Sequence, residues 1–369
     1  MLEASDHVGG MAGGRDVAGI RVDLGSHRLD PGTPPWLLEE IGRLVELQER
    51  PRNDRISLGG RSVPFPLSAR GLARALPARV AARAAVDVVA APLRRPRADT
   101  YAEVVRARLG STVWRRIHEP WARKLWDTDP DLLAGALARR PAPASSRVDL
   151  VPSPSTFRYP RRGFGAIAEA LAAQVPVDTG RRVNRLIEHP DRVIVGLSDG
   201  RLVTASHVHA TVPAWQVASW LGLHEDPLGP PPVRAMVLVY LVLDRRPYTP
   251  FGVHHLPDRN VLLTRLSEPT NQRDSAADPT DRTVLCAEIP CWAGDEVWTA
   301  SADALGVRVA DDLVRSGLPD PRHVEVHVER LPSVLPVLTP QSLGALARAA
   351  RALTMSARVT VPEPTSWTS

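Results

Sequence analysis

The first residues whose types and spacing could do chemistry stand at the start of the chain. Leu2-Glu-Ala-Ser-Asp-His-Val-Gly-Gly10 reads as a strand end, an acidic residue, then a glycine pair. In a dinucleotide-binding fold, an acid at the tip of the second strand accepts hydrogen bonds from the adenosine ribose hydroxyls. Glu3 fits that role. Gly9 and Gly10 would let the backbone pass close to a cofactor with no Cβ in the way. A plain surface turn explains the segment equally well when it is taken alone. Val22-Asp-Leu-Gly-Ser-His27 follows, with Gly25, Ser26 and His27 in a loop after a short strand. His27 is either a general acid/base or a loop residue held by a hydrogen bond.

Lys124 is the only lysine in a chain whose basic residues are otherwise arginine. An ammonium group can lose its charge or point at a single oxygen, which a guanidinium does not do. Its neighbour Trp126 offers a flat apolar wall. A helix-end lysine beside a core tryptophan is the structural alternative. Arg265 and Glu288 fall on expected strands, where burial would make them pair with each other or line a pocket, pairing being favoured. His254-His255 lacks a third ligand at suitable spacing and is not read as a metal site. Cys286 and Cys291 do not form a Cys-x-x-Cys pair. Cys286 is expected as a buried free thiol in a reducing, cytoplasmic compartment.

The composition bounds the rest. A chain of 369 residues with 43% hydrophobic residues can build two or three domains with a sizeable core. The net charge is +5 and the pI about 9.8. The arginines are dispersed rather than gathered in blocks interleaved with aromatics, so nucleic acid is not an expected partner. The N-terminus lacks a basic-then-apolar run, and no uninterrupted apolar stretch is long enough to span a bilayer.

These residues need elements to position them. Helical periodicity predicts a helix over 36–48, an arginine-studded helical stretch over 67–95 broken at Pro77 and stopped at Pro92, and a helix opened by a Thr100–Glu103 capping box. Together they suggest a helical block from 36 to 138. The 67–95 region is read as a solvated helix, with peripheral membrane contact as its functional alternative. A Pro/Ala/Ser-rich stretch over 141–156 reads as a linker. Strands are expected at Val183–Ile187, Val193–Leu197 and Leu202–Thr204, with a hairpin turn at Asp199-Gly200. Others are expected at 207–211, 236–243, 261–266, 284–289 and 324–328, with a helix over 302–316. The tail from 340 holds an Ala-rich helix and a Pro/Thr/Ser-rich end.

In order and spacing these motifs resemble flavin oxidoreductases of the protoporphyrinogen oxidase / amine oxidase superfamily, which includes phytoene desaturases and resembles UDP-galactopyranose mutases. The resemblance runs from about residue 1 to about 330. It rests on Glu3-Ala4 followed by Gly9-Gly10, on the Asp23-x-Gly25-x-His27 loop that in the family lies near the isoalloxazine ring, and on Tyr159-Pro160 followed by Gly163-Phe164. It also rests on Trp121-Ala-Arg-Lys-Leu-Trp126, where the family has Tyr first and Gly in place of Asp127. The strands from Val183 to Pro213 complete it; the backbone at Val183 would meet the adenine, and the strand ending Thr211-Val-Pro213 would return to the cofactor domain.

The resemblance implies FAD as cofactor and hydride transfer to flavin from a small organic substrate. A redox-neutral mutase and a non-enzymatic remnant of the fold are alternatives. Lys124, Trp126, Tyr159 and Arg265 would lie at the substrate pocket. The expected fold is α/β, with an incomplete Rossmann-like FAD domain from 1–35, 150–215 and 325–369, a helical insertion over 36–149, and a mixed-sheet substrate domain over 216–324. Three features depart from the family pattern. No Gly-x-Gly-x-x-Gly occurs. Met11 stands where the family often has arginine, and the last residues match no flavin-seating segment. Poor FAD binding by this chain, or none, is therefore expected.

Overall fold

The structure, a computed structural model, describes residues 1–67, 69–95, 98–139, 156–223 and 229–361. The linker-like stretch up to residue 155 and the end beyond 361 lie outside the described residues. Sixteen strands are present among the described residues: β1 (Gly14–Val17), β2 (Ile20–Asp23), β3 (Leu47–Pro51), β4 (Asp54–Leu58), β5 (Arg61–Phe65), β6 (Thr156–Pro160), β7 (Val183–Glu188), β8 (Val193–Leu197), β9 (Leu202–Ala205), β10 (Val208–His209), β11 (Val233–Leu243), β12 (Val253–His255), β13 (Arg265–Ser267), β14 (Thr283–Cys291), β15 (Glu325–Pro336) and β16 (Val359–Thr360).

The architecture is mixed α/β, as the sequence indicates. Its centre is a seven-stranded sheet in the order β15-β11-β14-β13-β12-β4-β5. All of its pairings are antiparallel except that of β12 with β4. The runs in β11 and β14 are almost wholly apolar because both faces of these central strands are covered. On one face, Val237, Val239, Leu241, Leu285 and Ala287 pack against Leu305, Val309 and Leu313 of the helix Ala302–Arg315. On the other, Met236, Leu238, Tyr240, Val242 and Cys286 pack under Val17, Ile20, Val22 and Leu24 of the β1–β2 hairpin.

The residues from 36 to 138 are not all helical. The first helix is Pro35–Leu44, and β3, β4 and β5 follow it directly. Alternation of Ile56 and Leu58 with Arg55 and Ser57 gives a period of two, and Gly59-Gly60 closes a two-residue hairpin. This hairpin extends the main sheet. Beyond it the helical expectation holds. Helices Ala69–Ala75 and Ala78–Val89 meet at Pro77, and Thr100 caps Tyr101–Val113 by accepting from the Glu103 N–H. Val105, Leu109, Val113 and Ile117 face a core shared with Phe65, Trp121 and Trp126.

A second difference concerns β15. It falls in the 325–369 segment expected with the cofactor parts, yet it pairs with β11 along nearly its whole length. The segment Val261–Leu266, read as a strand, joins the sheet only from Arg265. The carbonyls of Leu256 and Leu263 are held by the ammonium of Lys124 instead (2.7 and 2.8 Å).

The remaining strands lie in smaller sheets. β7, β8 and β9 form the expected meander, turned at Asp199-Gly200. Leu2 bridges to Asp178 in parallel, and β10 pairs in parallel with β16. Leu2 also packs against the cluster of Leu186, Val193 and Val195, so the start of the chain lies beside the meander.

Candidate functional site

The site is built around Asp23, the last residue of β2. Its carboxylate is almost fully buried. It accepts a hydrogen bond from the Tyr159 hydroxyl of β6 and another from the Phe164 N–H (2.8 Å), while the Tyr240 hydroxyl donates to its carbonyl (2.8 Å). Burial pushes the Asp23 carboxyl up, against the opposing pull of Tyr159, His27 and Arg273. Burial and the charge of Asp23 push the Tyr159 phenol well above its ordinary range. Three polar side chains from distant segments thus tie β2, β6 and β11 together at one point.

Directly after this knot runs the loop carrying Gly25, Ser26 and His27. Gly25 has φ +98°, a conformation that L side chains rarely adopt. The Ser26 N–H donates to Glu288 Oε1 (3.0 Å), and Gln272 donates to the Ser26 hydroxyl (3.3 Å). His27 keeps Nε2 on the Leu24 carbonyl (3.1 Å), with its ring 5.2 Å from that of Phe164. Glu288 in turn takes a two-pronged ion pair from Arg265 (2.7 Å to each oxygen), because β13 and β14 place the two residues directly opposite. Pairing is therefore the observed state of Arg265. Gly25, Ser26, His27, Tyr159 and Arg265 come together as one assembly.

A cleft of about 360 Å³ opens beside this loop, lined among others by Arg28, Asp54, Phe157, Gln272 and Arg273. Arg28 and Arg52 both donate to Asp54 Oδ2 (3.0 and 3.1 Å), and Arg28 lies 5.1 Å over the Phe157 ring. Neighbouring His255 is fully buried between Phe65 and Trp121. Burial, and then the charges of Arg265, Arg28 and Arg52, hold it well below an ordinary histidine.

The other expected residues lie elsewhere. The Glu3 carboxylate is half-buried and accepts from the Ser5 N–H (2.8 Å), while its carbonyl takes the Arg181 N–H (2.7 Å). A Cβ on Gly9 would come 2.8 Å from that of Ala168, whereas one on Gly10 would meet nothing. The glycine pair thus packs on the helix Gly165–Ala172 on one side and faces open space on the other. Val183 begins β7 opposite Leu197, and Thr211 and Pro213 follow β10, with Pro213 capping the helix Ala214–Trp220.

Lys124 and Trp126 share no hydrogen bond, ion pair or ring contact with the Gly25 loop among the described residues. Trp126 is a core residue, edge-on to Tyr101 with ring centres 5.3 Å apart. Asp127, which stands where the family has glycine, is left-handed (φ 48°) and ends the helix Glu119–Trp126. Burial lowers the Lys124 ammonium to about 7, against the pull of Asp312 and Asp258.

The residues that could hold a flavin stand at two places. A strand-end carboxylate is partly accessible at Glu3, and a rigid glycine-containing loop stands beside a polar cleft at Gly25–Arg28. Sequence reasoning missed Asp23 as the organising residue, although it lies inside the motif. It also missed Arg28, Arg50, Arg52 and Arg273, which converge from separate segments and carry no spacing signal.

The family described as flavin containing amine oxidoreductase matches residues 1–328. No curated protein matches the sequence. The fold is similar to that of reduced UDP-galactopyranose mutase (18% identity, 96% of this chain and 80% of that one, TM-score 0.80). It is also similar to a protein from Exiguobacterium sp. 255-15 described as a protoporphyrinogen oxidase (19% identity, 98% and 86%, TM-score 0.72). Cyclohexylamine oxidase from Brevibacterium oxydans IH-35A is a third (15% identity, 98% and 86%, TM-score 0.67).

Proposed function

This chain belongs to the flavin-containing amine oxidoreductases, and on that premise we propose that it binds FAD and oxidises a small organic molecule by hydride transfer to the flavin. The observation that carries the reading is the Gly25–Arg28 loop, fixed by Asp23 on one side and Glu288 on the other, with a cleft beside it. A bound flavin supplies the hydride acceptor; the chain supplies binding, orientation and exclusion of water. In this reading Glu3 receives the adenosine ribose, the backbone at Val183 meets the adenine, and Gly25, Ser26 and His27 stand at the ring side. Asp23, Tyr159, Arg265 and Glu288 are positioning residues. They hold the loop through buried hydrogen bonds and an ion pair, so that its backbone does not move when a substrate enters. Lys124 anchors the 256–263 segment that borders the sheet.

The test is a titration of FAD into the full chain, followed by flavin fluorescence, and then anaerobic addition of organic substrates. Quenching by the wild type, its loss in Gly25→Val at unchanged circular dichroism, and bleaching of the flavin by a substrate are the expected results. No quenching by the wild type overturns the reading. Turnover only after the flavin has been reduced beforehand assigns the chain to redox-neutral mutase chemistry instead.

A further inference from the structure

The cleft beside the Gly25–Arg28 loop is strongly biased in charge. Four arginines line it, Arg28, Arg50, Arg246 and Arg273, against two carboxylates, Asp54 and Asp274. Of these carboxylates Asp54 is already committed, since one of its oxygens takes both Arg28 and Arg52. Arg273 is buried, its side chain only 1% exposed. Its Nε and Nη2 are spent on Asp278 and on the Arg21 carbonyl, but Nη1 is buried and finds no acceptor among the described residues. Arg50 Nε and Arg52 Nη2 are in the same position. A buried guanidinium N–H left without an acceptor is costly. Asp54 cannot relieve it, because its carboxylate is taken by Arg28 and Arg52, and Asp274 makes no hydrogen bond to these atoms among the described residues. Burial first, and after it the charges of Arg265, Arg28 and Arg52, hold His255 below an ordinary histidine on the sheet side. The Phe157 ring lies 5.1 Å from the Arg28 guanidinium at the cleft wall.

We propose that this cleft binds an oxyanion, a carboxylate or a phosphate carried by the substrate, on Arg273, Arg50 and Arg28. A planar fork of donors matches the paired oxygens of such a group, which accounts for arginine at each position. Arg246 closes the far side, with its guanidinium held on the Pro279 and Thr270 carbonyls (2.7 and 3.2 Å). As an anion site the cleft stands by itself; as a statement about the substrate it rests on the function proposed above.

The experiment titrates inorganic phosphate and, separately, succinate into the full chain at constant ionic strength, reading Tm and calorimetric affinity. The expected result is a rise in Tm with one of the two ions, which identifies phosphate or carboxylate as the group. Arg50→Gln weakens that binding by about tenfold or more, the loss typical of one charge-assisted hydrogen bond, and Arg246→Gln, which removes a charge but no direct donor, weakens it less. Arg322→Gln, at a side chain 83% exposed and outside the cleft lining, leaves it unchanged. Binding of neither ion by the wild type overturns the inference, as does wild-type affinity in both cleft variants. FAD is titrated into the same proteins. Anion binding without any FAD binding removes the proposed function and leaves the site. FAD affinity that falls in Arg50→Gln while anion affinity stays assigns the arginines to the cofactor and removes the inference.

Discussion

Strands β11, β13 and β14 bury both of their faces, but the two faces are of different kinds. Toward the helix Ala302–Arg315 the packing is an apolar cluster: Val237, Val239, Leu241, Leu285 and Ala287 from the sheet meet Leu305, Val309 and Leu313. Toward the β1–β2 hairpin the same strands set Tyr240, Cys286, Glu288, Arg265 and Ser267 among apolar residues; Tyr240 and Glu288 make hydrogen bonds that cross to Asp23 and Ser26, and Arg265 holds Glu288 in place. The alternation of side chains along a strand allows this division, since neighbours one residue apart serve opposite faces. Apolar packing is tolerant of exchange and supplies stability; a buried polar network is intolerant of it and fixes position. The loop that the functional reading needs is fastened to the second face.

The sharpest way to break this comparison is to cut the polar face. Glu288→Leu leaves Arg265 buried without its partner and the Ser26 N–H without an acceptor. It is expected to lower stability by ~3–5 kcal/mol in urea unfolding. The double variant Arg265→Met, Glu288→Leu removes both charges and is expected to recover most of that loss. A double variant as unstable as the single one would mean that Glu288 acts mainly through Ser26, and that the loop rather than the pair carries the energy.

On the apolar face the expected effect is smaller and of another origin. Leu313→Ala opens a cavity under Val309 and costs ~2–4 kcal/mol. It should leave flavin quenching as in the wild type once folded, measured well below the midpoint. A lost flavin response at retained fold would show that the two faces are coupled.

The smallest effect comes from Lys124, a polar atom planted beside the apolar cluster that holds Leu256 and Leu263. Its folded pKa of about 7 lies below the unfolded lysine value. Below pH 7 both states carry the proton and the contribution is flat. Above it the folded chain releases a proton that the unfolded chain keeps, so stability rises with pH. The slope is at most ~1.4 kcal/mol per pH unit, and less where the side chain is partly exposed. The window is pH 7 to about 8.5, because unfolded cysteine thiols ionise above that, while burial holds Cys291 near 11 in the fold. Lys124→Met should lack the rise; an identical slope in both proteins refutes the assignment.

How far the sequence told this in advance depends on how local each signal was. The meander β7–β9 and the helix Ala302–Arg315 were legible because period, turn residues and length agree within one short segment. The hairpin β4–β5 was hidden inside a helical context, although Gly59-Gly60 and the alternation around Ile56 are a hairpin pattern. The pairing of Arg265 with Glu288 followed from two strands and burial alone. The Asp23 knot and the arginine cleft were not legible, since Asp23, Tyr159 and Tyr240 lie more than a hundred residues apart in part, and Arg28, Arg50 and Arg273 share no motif. Only the tertiary fold makes them neighbours. Lys124 stood out by its rarity, which suggested a contact with flavin or substrate oxygen; in the fold its ammonium holds the Leu256 and Leu263 carbonyls.

The carboxylate of Asp23 has one more consequence. Gly163-Phe-Gly165-Ala-Ile-Ala168 has the glycine spacing of a nucleotide-phosphate turn, and it lies between a strand and a helix as such turns do. Gly165 even shows the close packing expected there, since a Cβ on it would sit 2.6 Å from the Gly14 nitrogen. Yet the N–H at that helix start already faces an acceptor, the carboxyl oxygen of a side chain of the same polypeptide. The chain carries its own acceptor in the place where a phosphate would dock. A pattern search that counts only glycines would mark this turn as a nucleotide cradle, while the acid that fills it sits 141 residues earlier in the sequence.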